Sequence, residues 1–161
     1  MPLLTANSDR QLPRYTKVTV NEENWAGHAA DHDSLHAAYN LPIGGVAFVI
    51  GAEGSDIINV GIQLLDNEGD ALAVIGNVFA YLSDASTGIA ISAAAPDDSV
   101  VIGTDGAIIL EHVTDLAWDL QSEADGDIDL DIKDATGTPT WHLVVVLPNG
   151  LQVVSAAITF A

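Results

Sequence analysis

The chain has 161 residues, 48% of them apolar, no cysteine and a formal net charge of −19. That length and apolar share suit one folded domain with an appendage and exclude a disordered body. The absence of cysteine excludes a disulfide framework, a thiolate metal site and a cysteine nucleophile, and the acidic balance argues against nucleic acid or anionic lipid as partners.

The charge is unevenly placed. Residues 1–20 hold Arg10, Arg14 and Lys17 against Asp9, net +2, whereas residues 21–161 hold Lys133 against twenty-two acids, net −21. Such a basic segment is either an arm that docks on an acidic partner surface or a tail that happens to carry three cations. The start, Met1-Pro2-Leu3-Leu4-Thr5-Ala6-Asn7, lacks the basic and long apolar regions of a secretion signal. No apolar run approaches the ~20 residues that span a bilayer. A soluble protein made and kept in the cytoplasm is therefore expected, with no membrane partner.

Residues 1–24 have no clear period beyond a possible strand at Tyr15–Val20. From Trp25 to Asn40 the chain is rich in alanine and lacks β-branched residues, which predicts a short helix capped by Asn40 and stopped by Leu41-Pro42. From Ile43 onward the pattern is β. Turn clusters recur at Gly51–Ser55, Asp66–Asp70, Ser83–Gly88, Pro96–Ser99, Gly103–Gly106, Ser122–Gly126, Asp134–Pro139 and Pro148–Gly150. Between them Ile58, Val60, Ile62 and Leu64 share one face, as do Leu116, Trp118 and Leu120. Ile128, Leu130 and Ile132 oppose Asp127, Asp129 and Asp131. Val74–Leu82 and Leu151–Phe160 read as further strands. The unbroken run Leu143–Leu147 predicts a central strand covered on both faces, and Pro148-Asn149-Gly150 predicts a hairpin whose Asn and Gly take positive φ. Short strands without intervening helices predict an all-β, antiparallel, immunoglobulin-like β-sandwich over residues 41–161. Residues 1–40 form an N-terminal arm with one short helix in this reading.

The candidate chemistry is sparse. His28, His32 and His36 would form one ridge on a helix, where two imidazoles could share a zinc ion. No Glu lies between the first two as a base, so a solvated or interface-facing helix is the simpler reading. Asp125, Asp127, Asp129 and Asp131 are the candidate cation ligands. Counted as a calcium loop from Asp127, the positions that need glycine and glutamate hold Ile132 and Thr138. On a strand these carboxylates lie on one face about 7 Å apart, and a solvated face that discourages edge pairing explains them more simply. His112 with Asp115, or His142, could enter Ser/His/Asp catalysis, but no nucleophile elbow accompanies them, and structural roles are expected. No catalytic residue, cofactor or phosphate loop is predicted. Trp118 and Trp141 read as core anchors, and Trp25 as a partner contact.

Four segments carry a family likeness: Ile62-Gln63-Leu64-Leu65-Asp66-Asn67-Glu68-Gly69, Ala80-Tyr81-Leu82-Ser83-Asp84-Ala85-Ser86-Thr87-Gly88, Leu143-Val144-Val145-Val146-Leu147-Pro148-Asn149-Gly150 and the ending Val154–Ala161. Together they resemble small β-sandwich proteins of tailed-bacteriophage structural gene sets. The order of strand, Asp-x-x-Gly turn, strand and Leu-Ser-Asp is also similar to bacterial immunoglobulin-like modules of adhesins and virions. The likeness spans about residues 56–161. It implies a non-enzymatic capsid decoration (cement) protein, added from the host cytoplasm to the outer surface of the head. The implied partners are the major capsid protein and further copies of the chain, often as a trimer. Residues 1–40 would make the contacts, through Arg10, Arg14, Lys17 and Trp25. A tail, neck or fibre module and a calcium- or glycan-binding adhesin-like domain are the alternatives.

Overall fold

Two-residue alternation, which sends successive side chains to opposite faces of a strand, accounts for most of what the chain builds. The computed structural model describes residues 43–161. They form the strands β1 (Gly45–Ile50), β2 (Ile57–Leu65), β3 (Asn77–Ser83), β4 (Ser99–Ile102) and β5 (Ala107–Val113). Then follow β6 (Ala117–Gln121), β7 (Asp127–Lys133), β8 (Thr140–Val146), β9 (Gln152–Val154) and β10 (Ile158–Thr159). Among the described residues there is no helix. The helix expected at residues 25–40, the strand at Tyr15–Val20 and the candidates Arg10, Arg14, Lys17, Trp25, His28, His32 and His36 lie outside the described residues.

All pairings are antiparallel. One sheet runs β1-β2-β7-β4; the other runs β10-β8-β3-β6-β5, with β9 also on β8. The first sheet thus holds the first, second, fifth and fourth strands of an immunoglobulin-type sandwich, and β3, β8 and β9–β10 supply the third, sixth and seventh. The β5–β6 hairpin is an addition that widens the second sheet beyond β3. The all-β sandwich is therefore as expected.

The two inner faces meet in one core. Ile58, Val60, Ile62 and Leu64 of β2 and Ile128, Leu130 and Ile132 of β7 face Val78, Ala80 and Leu82 of β3, Trp118 and Leu120 of β6 and Leu143 and Val145 of β8. β8 lies between β3 and β9, and its Leu143, Val144 and Val145 are fully buried, so the central position read from Leu143–Leu147 holds.

Three local expectations change. The strand expected from Val74 begins at Asn77; Val74 and Ile75 are exposed, and Gly76 exchanges hydrogen bonds with Ser122 instead. The strand expected over Leu151–Phe160 is two pieces. Ser155 interrupts it by accepting the Leu143 N–H on its hydroxyl, and the register shifts by one residue between Val144↔Val154 and Trp141↔Ile158. In the closing hairpin only Gly150 takes positive φ, at +84°, while Asn149 does not. The Asn149 side chain instead accepts the Leu151 N–H, and Gly150 N–H donates to Leu147 O. The connection is a three-residue loop ending in a left-handed glycine.

Candidate functional site

The outer faces and loops of the sandwich hold every candidate group among the described residues. β7 sits between β2 and β4, and its alternation places Asp127, Asp129 and Asp131 in a row on the outer face of the four-stranded sheet. β2 supplies their cross-strand neighbours: Gln63 opposite Asp127, Gly61 opposite Asp129 and Asn59 opposite Asp131. Asn59 donates to Asp131 Oδ1 at 2.9 Å, and Gln63 donates to the carbonyls of Asp125 and Leu64 at 2.8 and 3.1 Å. Among the described residues no cation neutralises the middle of the row. Partial desolvation, followed by the charges of Asp125 and Asp105, raises the Asp127 carboxyl above its ordinary value. Asp129 is raised by desolvation and by Asp105, Asp127 and Asp131, against a lowering hydrogen bond from Thr104. Like charges held in a row cannot all ionise freely.

This row does not gather around a point. Among the described residues the carboxylates whose oxygens approach one another within 4.8 Å as a group of three are Asp66, Glu68 and Asp70, in the turn after β2. Sequence reasoning passed over them as turn residues, and the turn does explain their positions. Asp66 Oδ1 accepts the N–H groups of Glu68 at 2.8 Å and Asp70 at 3.0 Å. Asp125, Asp127, Asp129 and Asp131 present an extended negative stripe, suited to a basic surface more than to a single ion.

The two described histidines, His112 and His142, take structural partners. His112 pairs with Asp119 at 2.9 Å and stands edge-on to Phe79 with ring centroids 5.5 Å apart, so Asp119 and not Asp115 is its carboxylate. Asp115 accepts the Val100 N–H at 2.7 Å and lies in a left-handed turn, φ 53°. His142 bonds the Ser155 carbonyl through Nδ1 at 3.1 Å, tying β8 to the break in the last strand. Trp118 and Trp141 are buried in the core, as expected of them.

The outer face of the six-stranded sheet is unusually apolar. Phe79, Tyr81, Ala117, Val144, Val146 and Val154 form a second cluster there. Gly88 seals one half of it: a Cβ at Gly88 would come within 3.0 Å of the methyls of Val144 and Val154. The Tyr81 hydroxyl donates to the Gly88 carbonyl and locks that loop in place. The other half opens as a groove of about 450 Å³, lined by Phe79, Ile109, Asp119, Val146 and Pro148. No protein-family model matches the chain, and no curated protein matches it by sequence.

Proposed function

We propose that this chain is a non-enzymatic decoration (cement) protein of a tailed-bacteriophage head, which binds the major capsid protein on the outer surface of the particle and stabilises it. The observation that carries the reading is the division of charge. Three of the four cations lie at Arg10, Arg14 and Lys17, while residues 43–161 hold eighteen acids against Lys133 alone. A body of that kind stays soluble and apart from packaged nucleic acid. The short basic segment, with Trp25 beyond it, is the part suited to a partner surface. In the described sandwich Asp66 closes its own turn, and Asp97 and Asp134 tie the loop before β4 to the loop after β7.

Deleting residues 1–20 tests this directly. Loss of particle binding with an unchanged melting temperature is expected, and unimpaired attachment would overturn the role of the arm. The tail, neck or fibre alternative differs in location alone. Labelling the protein on intact particles separates a covered shell from a decorated tail.

A further inference from the structure

β1 is an edge of the four-stranded sheet, with β2 on one side and no strand on the other among the described residues. A regular bare edge pairs with other chains, so proteins blunt their edges with charge, proline, bulges or shortness. The other edges here are blunted. β4 has four residues with Asp97 and Asp98 close before it and Asp105 after it. β5 carries Glu111 and two breaks in register. The last edge is interrupted between β9 and β10. β1 has none of these devices along its length, Pro42 and Glu53 lying beyond its ends: its six residues pair with β2 without a break, and no charged or proline residue occurs from Ile43 to Ala52. Ala47 and Val49 face outward, and Val49 is 71% exposed.

We propose that β1 is a self-association edge, at which two copies of the chain pair antiparallel about a two-fold axis at Phe48 and join their four-stranded sheets into one. Register is the first argument for a second copy. Gly51 N–H bonds Asn59 O across the β1–β2 ladder. The alternation of an antiparallel ladder then turns the amides and carbonyls of Val46, Phe48 and Ile50 toward the open side. Pairing Phe48 with its symmetry mate sets Val46 against Ile50 and satisfies all three residues at once, with about six new hydrogen bonds. The outward pairs are Ala47 against Val49, small and apolar, with no like charges opposed. Charge is the second argument. Copies of a chain with net charge −19 repel, and β1 is the edge where they meet without setting acids face to face. A basic partner would be drawn to the Asp127–Asp131 row instead. The contact is isologous and closes as a pair, in place of the three-fold assembly that the family likeness implies. It is independent of the particle-binding reading.

The chain has no cysteine, so Ala47→Cys and Val49→Cys place unique thiols. In the proposed register residue 47 of one copy opposes residue 49 of the other at disulfide distance, whereas like residues lie too far apart. Mixing the two full-length variants under mild oxidation should yield at least about tenfold more disulfide dimer than either alone. Light scattering on the unmodified chain should give twice the chain mass, falling to one on Val49→Glu with an unchanged circular dichroism spectrum. A monomer or trimer at all concentrations, or equal cross-linking of the single variants, would overturn the proposal. So would β1 amides protected from hydrogen exchange in a monomer, which would assign the edge to the chain's own remaining residues.

Discussion

Trp118 and Trp141 share one core but differ at a single atom. The Trp141 indole N–H reaches Ser92 Oγ and the Ala94 carbonyl, each at 3.2 Å, whereas the Trp118 indole N–H is buried with no acceptor. An unmade bond at a buried donor forfeits the stabilisation that a made bond would give. Replacing each by Phe removes similar volume, so the difference between the variants isolates the polar atom. Trp141→Phe should destabilise more than Trp118→Phe by roughly 1–3 kcal/mol in urea unfolding; equal losses would contradict this. A second residue-scale test lies at the turn before β2. Ser55 and Asp56 both have positive φ, 56° and 63°, and Gly54 and Ile57 bond each other across them. This is the geometry that Asn-Gly adopts at least cost. Exchanging Ser55-Asp56 for Asn-Gly should stabilise by about 1 kcal/mol, read as a higher urea midpoint at constant slope.

At the scale of elements, legibility followed the regularity of the ladder. β2 and β7 pair without a break, so their alternation survives intact in sequence, and the Asp127, Asp129 and Asp131 face is found where alternation puts it. β5 was unreadable because its register shifts between Ile108 and Leu110 and again between Glu111 and Val113. Those irregularities bring Ile109 and Leu110 out together and erase the two-residue period. β4 is too short to show a period at all. The approach of Asp66, Glu68 and Asp70 could not be seen either, since it depends on how the turn folds back on Asp66 Oδ1. The break in the last strand has its own signature in Ser155, whose buried hydroxyl accepts the Leu143 N–H at 2.9 Å and donates to the Ala156 carbonyl at 2.7 Å. Ser155→Ala leaves that amide unpaired inside the sheet. A loss of roughly 1–3 kcal/mol is expected, with faster hydrogen exchange at Leu143; unchanged exchange there would show that the strand closes over the gap.

For the whole molecule, charge sets how stability depends on pH. The folded chain raises Asp127 and Asp129 above the ordinary aspartate value of 3.8, first by desolvation and then by neighbouring carboxylates. Between 3.8 and those raised values the folded state therefore binds more protons than the unfolded one. Stability then falls as pH rises through that window and is gained as pH is lowered into it. Relief of repulsion among the eighteen acids of residues 43–161 acts in the same direction. Asp97 has the opposite sign. Hydrogen bonds from the Thr136 hydroxyl and the Ala135 amide lower its pKa, so its contribution is present above 3.8 and is lost as pH falls through the lower folded value. The melting temperature should accordingly climb as neutral solution is made mildly acidic, pass through a maximum and fall in stronger acid. Added salt at neutral pH should mimic part of the climb by screening the row. The double change Asp127→Asn and Asp129→Asn removes the raised pair while keeping the side-chain shape. It should raise the melting temperature at pH 7 and flatten the acid-side climb, leaving the fall in stronger acid in place. A melting temperature that declines steadily from neutral pH, or a double variant with the parent's pH profile, would mean that the acidic row does not govern the stability of the sandwich.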